Sequence, residues 1–213
     1  MATLGRFLFF FAVVKPLVLV VLGLNVRRAH LLPRTGPAIL VANHNSHLDT
    51  VVLLSLFPYH LAMKVRPVAA ADYFLRNRVL AWFALHIMRI IPVDRTVRSC
   101  AAEMMHGVSA ALEAGEIVLL FPEGTRGEPE HLGQFQSGVA HMVKPHPEVP
   151  VIPVFVHGAG KALPRGEAVL VPFFCDVLVG EPLFWCGDRA KFMGKLEQRF
   201  DELAAEGNFP QWA

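Results

Sequence analysis

The chain has 213 residues, 54% of them hydrophobic, a mean hydropathy of +0.42 and a formal net charge of +2. That length supports one domain, or one domain and an appendage, and the apolar content makes a membrane surface the first partner to consider. The charge is uneven: residues 1–100 carry 12 Lys+Arg against 3 Asp+Glu, and residues 101–213 carry 8 against 15. A basic front half suits anionic headgroups or phosphates, whereas the absence of a basic run with interleaved aromatics or a reader motif argues against nucleic acid. Cys100, Cys175 and Cys186 show no paired spacing, which reads as reduced, cytosolic thiols rather than a disulfide framework.

The first element is Phe7 to Leu24, "FLFFFAVVKPLVLVVLGL", interrupted only by Lys15. As a straight helix it would be about 27 Å long, close to the roughly 30 Å hydrocarbon core. No small-residue cleavage site follows, and Asn25-Val26-Arg27-Arg28 comes next, so a signal peptide fits poorly. Lysine at mid-bilayer is costly and proline invites a kink. Lys15-Pro16 therefore predicts two half-helices dipping into one leaflet with the ammonium snorkelling to the surface. A spanning helix and a buried soluble helix are the alternatives, the second weakened by the lack of a polar face. This reading divides the chain into a membrane-associated segment at residues 1–26 and a folded domain at residues 27–213. Removal of residues 1–24 is then expected to leave a folded domain with weaker membrane binding.

Short apolar runs punctuated by glycine and proline follow. Residues 38–43, 90–94, 116–122, 149–158 and 168–180 read as strands, several buried on both faces. Residues 50–57, 72–86, 97–114 and 136–143 read as helices between them. Residues 189–206 place Phe192, Met193, Leu196, Phe200 and Leu203 at spacings of three and four, the pattern of an amphipathic helix. The alternation predicts an α/β fold with a central, mostly parallel or mixed sheet flanked by helices.

The chemistry lies at two strand ends. "NHNSHLD", Asn43 to Asp49, occupies the turn between the first such strand and the helix after it, a place where α/β sheets carry their reactive groups. Ser46 and Asp49 alone fit a helix capping box. His44 five residues before Asp49 also fits a general base whose tautomer is fixed by a carboxylate. A metal held by His44, His47 and Asp49 is a third reading, for which no fourth ligand of suitable spacing is evident. The second constellation is "LLFPEGTRGE", Leu119 to Glu128. Gly124 permits a close turn, Thr125 offers a hydroxyl, and Arg126 a planar fork matched to phosphate. Glu123 is placed to hold Arg126 or to meet a substrate hydroxyl. A surface turn with an incidental ion pair explains the same residues.

Together the stretches resemble the 1-acylglycerol-3-phosphate acyltransferase family of glycerolipid acyltransferases. "NHNSHLD" is similar to its N-H-x4-D block and "FPEGTR" to its second signature block. "IIPVDR" resembles the block that puts an arginine, here Arg95, at the phosphate, and "VIPVFVHG" the block with a strand-interrupting proline, here Pro153. "GQFQSG", Gly133 to Gly138, resembles the segment that follows. The likeness extends over residues 25–185. "PVAAADYF" departs from it, with alanines where many members carry a lysine.

The resemblance implies His44 and Asp49 as the catalytic pair, with His47 at a variable position, and Arg95, Glu123, Gly124, Thr125 and Arg126 as substrate-binding residues. It implies O-acyl transfer from acyl-CoA or acyl carrier protein to a membrane lysophospholipid, first of all 1-acylglycerol-3-phosphate, giving phosphatidic acid. It implies no cofactor, no metal and no acyl-enzyme. The enzyme is expected at the membrane with its catalytic domain on the cytoplasmic face. Backbone N–H groups of residues 45–47 are the expected oxyanion donors. Other acceptors (lyso-ornithine lipid, another lysophospholipid, a glycolipid, dihydroxyacetone phosphate), a hydrolase, and a lipid-binding protein with a vestigial site are the competing readings. The missing lysine bears on the first of these.

Overall fold

The protein is described here by a computed structural model covering residues 2–46, 48–93, 100–124, 132–162 and 173–209. Seven strands form one sheet: β1 (Leu22–Arg27), β2 (Ala38–Ala42), β3 (Val65–Ala70), β4 (Ile91–Val93), β5 (Ile117–Leu120), β6 (Val151–His157) and β7 (Phe173–Val179). Their order is β1-β7-β6-β2-β5-β3-β4. Five strands, β6 through β4, run parallel, while β7 lies antiparallel to β6 and β1 parallel to β7. This is the α/β class with the mixed, mainly parallel sheet that the alternating pattern predicts.

The central strands are apolar throughout because both faces are covered. Along β2, Ala38, Leu40 and Ala42 enter one core while Ile39 and Val41 enter the other. The second core is closed by helices Cys100–Glu113, Gly138–Val143 and Arg189–Gly207. The last buries Phe192, Met193, Leu196, Phe200 and Leu203, the stripe expected from the sequence, and Asp188 caps it by accepting from the Lys191 N–H at 2.7 Å.

The first core is closed by helix Leu48–Ser55 and, outside it, by the N-terminal helix. The N-terminal helix does not break at Lys15-Pro16. Its α-helical start, Ala2–Phe9, continues through π-helical turns at Phe10–Val14 and Leu17–Val21, with Lys15 and Pro16 helical between them. The wider i→i+5 spacing accommodates a proline that has no N–H to donate. Phe10, Val14 and Val18 are buried in the first core, so this apolar helix packs along the domain with one face and leaves the other bare. Lys15 points to the C-terminal end of helix Leu48–Ser55, its Nζ 3.5 Å from the Ser55 carbonyl, where a cation complements the helix dipole.

Two strands escaped the reading of the sequence. β1 begins inside the apolar run assigned to the helix, and β3, "VRPVAA", is poor in β-formers and contains Pro67. Helix 72–86 is interrupted: Ala71–Phe74 ends, and Asn77 restarts Arg78–Trp82 by accepting from the Val79 N–H at 2.8 Å. Strand β6 runs through Pro153 without interruption. The parts of the predicted elements at residues 94, 97–99 and 168–172 lie outside the described residues. Cys175 is buried and Cys186 partly exposed, and neither forms a disulfide among the described residues.

Because Phe10, Val14, Val18 and Leu22 are core residues and β1 is a sheet strand, the expectation for removal of residues 1–24 reverses. Phe10→Ala should cost about 3–5 kcal/mol, and the truncated chain should fail to fold cooperatively. Urea unfolding followed by circular dichroism checks both. A truncated chain with native m-value and midpoint would refute the packing argument.

Candidate active site

Strand β2 ends at Ala42, and the chain turns into helix Leu48–Ser55 over a few residues. Asn43 anchors this turn. Its side-chain amide donates to the Val156 carbonyl at 2.8 Å and accepts from the Val156 N–H at 2.7 Å, extending the β2–β6 ladder by one side chain. The turn is thereby fixed at the carboxyl edge of the parallel strands, where β5 also delivers Phe121 to Gly124.

Asp49 sits in the first turn of the helix and is completely buried. Its Oδ2 accepts from the Asn45 N–H at 2.7 Å and the Ser46 N–H at 2.8 Å, and lies 2.9 Å from His44 Nδ1. Asp49 therefore makes both the capping bond and the contact to the imidazole. The bond from the Ser46 N–H is half of a capping box, and the bond to Nδ1 sets the imidazole. An ionised carboxylate only accepts, so Nδ1 carries the hydrogen and Nε2 holds the lone pair. Burial raises the Asp49 carboxyl above its ordinary pKa, opposed by its bonds to His44, Ser46 and Asn45.

His44 is 19% exposed in its side chain. Its ring stacks on Phe121 with centroids 4.1 Å apart and an interplanar angle of 22°, so an apolar wall backs the imidazole while one edge stays open. The His44 N–H donates to Glu123 Oε1 at 2.9 Å. Burial raises the Glu123 carboxyl as well, opposed by hydrogen bonds from the backbones of His44 and Gly133. Gly133 is required for this approach, since a Cβ there would lie 2.6 Å from Glu123 Oε2. Gly124 turns the chain with φ of 71°, a conformation that favours glycine. The two sequence blocks thus meet through the backbone of His44.

His44, Asp49, Glu123 and Gly124 come together in this arrangement. Arg95, Thr125, Arg126 and His47 lie outside the described residues. The oxyanion assignment is corrected at two positions: the Asn45 and Ser46 N–H groups are both engaged by Asp49 Oδ2 and are not free for a substrate oxygen. Among the described residues no cluster of three or more His, Cys, Asp or Glu side chains is arranged for a metal. Sequence reasoning missed the roles of Asn43 and Phe121, although an Asn closing an apolar strand and an aromatic before the Pro-Glu-Gly turn were visible in both blocks.

Residues 23–157 match the Acyltransferase family model. The chain belongs to the acyltransferase family. It is 30% identical over 149 residues to the chloroplastic 1-acyl-sn-glycerol-3-phosphate acyltransferase BAT2 of Brassica napus, covering 70% of this chain and 41% of that protein. It is 25% identical over 171 residues to the 1-acyl-sn-glycerol-3-phosphate acyltransferase of Pseudomonas aeruginosa, covering 80% and 63%. This acyltransferase-family chain spans about half the length of the curated relatives it matches. The crystal structure of the 1-acyl-sn-glycerophosphate acyltransferase PlsC from Thermotoga maritima superposes with a TM-score of 0.73 at 19% identity, covering 93% of this chain and 77% of that one, a likeness of fold.

The raised carboxyl of Asp49 gives a signed prediction. A folded-state pKa above the unfolded value contributes stability that is complete at low pH and is lost as pH rises through the folded pKa. Asp49→Asn lacks this loss, so its melting temperature relative to wild type should climb between pH ~4 and pH ~8. Scanning fluorimetry across that range checks it, and a difference that falls with pH would reverse the sign assigned to Asp49.

Proposed function

We propose that this protein transfers a fatty acyl group from an acyl thioester, carried by coenzyme A or acyl carrier protein, to the hydroxyl of a lysophospholipid, first of all 1-acylglycerol-3-phosphate. The observation that carries the proposal is the buried Asp49 carboxylate bonded to His44 Nδ1, which turns Nε2 outward as a base. The family membership and the names of the relatives support the same reaction class.

A lipid hydroxyl is a poor nucleophile at neutral pH. His44 Nε2 removes its proton as the oxygen attacks the thioester carbonyl, and Asp49 stabilises the imidazolium that forms. Collapse of the tetrahedral intermediate breaks the C–S bond, and His44 returns the proton to the departing thiolate. The nitrogen acts as base and then acid, so the cycle calls for no acyl-enzyme, cofactor or metal. Glu123 serves by fixing the His44 main chain, and the Phe121 ring keeps the imidazole from swinging away. Arg126, Thr125 and Gly124, with Arg95, are assigned to the anionic headgroup. The N-terminal helix, long and apolar enough to meet a membrane, would hold this site at the cytoplasmic leaflet, where a soluble thioester and a lipid hydroxyl meet.

A second reading, the same transfer to another lysolipid, is favoured by one observation. Ala69 and Ala70 end β3 and Ala71 opens the next helix, in the segment where a lysine would supply a further cation. Mass spectrometry of products from a panel of acceptors and a labelled acyl thioester separates the two. Phosphatidic acid as main product supports the first reading, and acylation of a phosphate-free acceptor alone would replace it. Free fatty acid alone would indicate a hydrolase.

His44→Ala should lower kcat roughly 10²–10⁴-fold, as for loss of a general base, while His47→Ala should cost far less. Steady-state rates decide between them, and the reverse ranking would move the base to His47. Arg126→Ala should act mainly on the acceptor's KM, because the phosphate charge is present in ground and transition states alike. Lysine should rescue it only in part. Unchanged KM for a phosphate-bearing acceptor would remove Arg126 from the site.

A further inference from the structure

The outer face of the N-terminal helix is apolar along its whole length. Leu4, Phe7, Leu8, Phe11, Leu19 and Val20 are exposed, the last two at 77% and 81%. Soluble monomers seldom leave so continuous a greasy strip in water. The opposite face is tied into the core through Phe10, Val14 and Val18, so the helix cannot leave the domain to cross a bilayer without emptying that core.

A second element continues this surface. The helical stretch Arg78–Trp82 and Phe83–Ile87 packs beside the N-terminal helix. Phe83 meets Phe9 edge-on at 5.2 Å, the His86 carbonyl accepts from Arg6 Nε at 2.7 Å, and Ile87 Cδ1 packs against Gly5. It leaves Val79, Trp82 and Leu85 exposed at 76%, 50% and 40%. Nothing in the sheet requires these side chains to be apolar.

Charge identifies the occupant. Residues 3–20 and 73–89 contain Arg6, Lys15, Arg76, Arg78 and Arg89 and no Asp or Glu. Arg66 and Arg89 both bind Glu116, at 2.8 and 2.5 Å, so one carboxylate is shared between two guanidiniums with Arg6 nearby. Burial first, and then the charges of Arg89 and Arg66, pull Arg6 below its ordinary pKa. Arg76 lies 4.9 Å above the ring of Tyr73, and Tyr and Trp beside arginine suit the headgroup boundary.

We infer that residues 73–89 are a second docking limb, which with the N-terminal helix forms a two-helix platform seating the intact domain on an anionic bilayer without crossing it. The inference rests on the reading above that the N-terminal helix meets a membrane, and extends it to a second element, a lipid charge and a depth. Helices with one apolar face and basic flanks lie in the interface plane in this way.

The test is flotation of the full chain with vesicles of phosphatidylcholine, alone or with phosphatidylglycerol at about 7:3. Wild type should float with the mixed vesicles far better than with the neutral ones and be released by alkaline carbonate. Trp82→Glu/Leu85→Glu should lose at least about tenfold in vesicle partition while keeping its rate on a short-chain, monomeric lysophosphatidate, which shows that the fold is intact. Arg76→Gln/Arg78→Gln should lose the preference for phosphatidylglycerol. If Trp82→Glu/Leu85→Glu floats like wild type while Leu8→Glu/Leu19→Glu does not, the second limb is wrong and the N-terminal helix still docks alone. If neither pair changes flotation, both membrane readings fall. Retention after carbonate would mean a crossing helix, and a phosphatidylglycerol preference that survives Arg76→Gln/Arg78→Gln would overturn the role of charge.

Discussion

One oxygen atom organises the site. Asp49 Oδ2 gathers two backbone N–H groups and an imidazole nitrogen inside 3 Å, in a place from which water is excluded. Burying a carboxylate is costly unless such donors replace its hydration, and the turn from β2 supplies them because its N–H groups converge on the first turn of the helix. Capping of the helix and orientation of the His44 imidazole therefore draw on the same atom. The helix start is stable only in the geometry that also aims His44, and Glu123 grips the other side of that geometry through the His44 N–H.

The apolar N-terminus has a comparable double use. One face, through Phe10, Val14 and Val18, completes the core beside helix Leu48–Ser55, and the rest is largely bare. Lys15, which looks like a liability in a membrane segment, sits between these uses at the carbonyl end of the helix whose opposite end carries Asp49. The hydrophobic layer that contacts lipid in the proposed reading is thus one side chain away from the helix that carries the buried Asp49 carboxylate.

The legible parts of the sequence were those with a strong period or a local hydrogen-bond logic. The double-faced strands β2, β5 and β6 and the stripe of the C-terminal helix stand out because burial on two faces, or on one face every 3.6 residues, leaves little freedom of composition. His44 and Asp49 were legible from a spacing that a strand-to-helix turn can close. β1 and β3 were not, because an edge strand needs few apolar positions and "VRPVAA" owes its place to neighbouring strands rather than to its own propensity. The continuity of the N-terminal helix through Lys15-Pro16 depended on a π turn and on Ser55, a residue forty positions away, and no local pattern announces either. The same applies to the Asn45 and Ser46 N–H groups, whose orientation toward Asp49 removes them from the substrate's reach.

The π turn of the N-terminal helix ends at Val21 and β1 begins at Leu22, with no residue between them, and β1 is then laddered to β7 from Leu22 to Arg27. β7 starts beside the end of β6, so this junction stands on the same rim of the sheet as His44. Helix and sheet consequently have no swivel between them. A roll imposed on the helix is passed through β1 to the rim that carries His44, whose height above the outer face of the helix is set by the fold rather than by a linker.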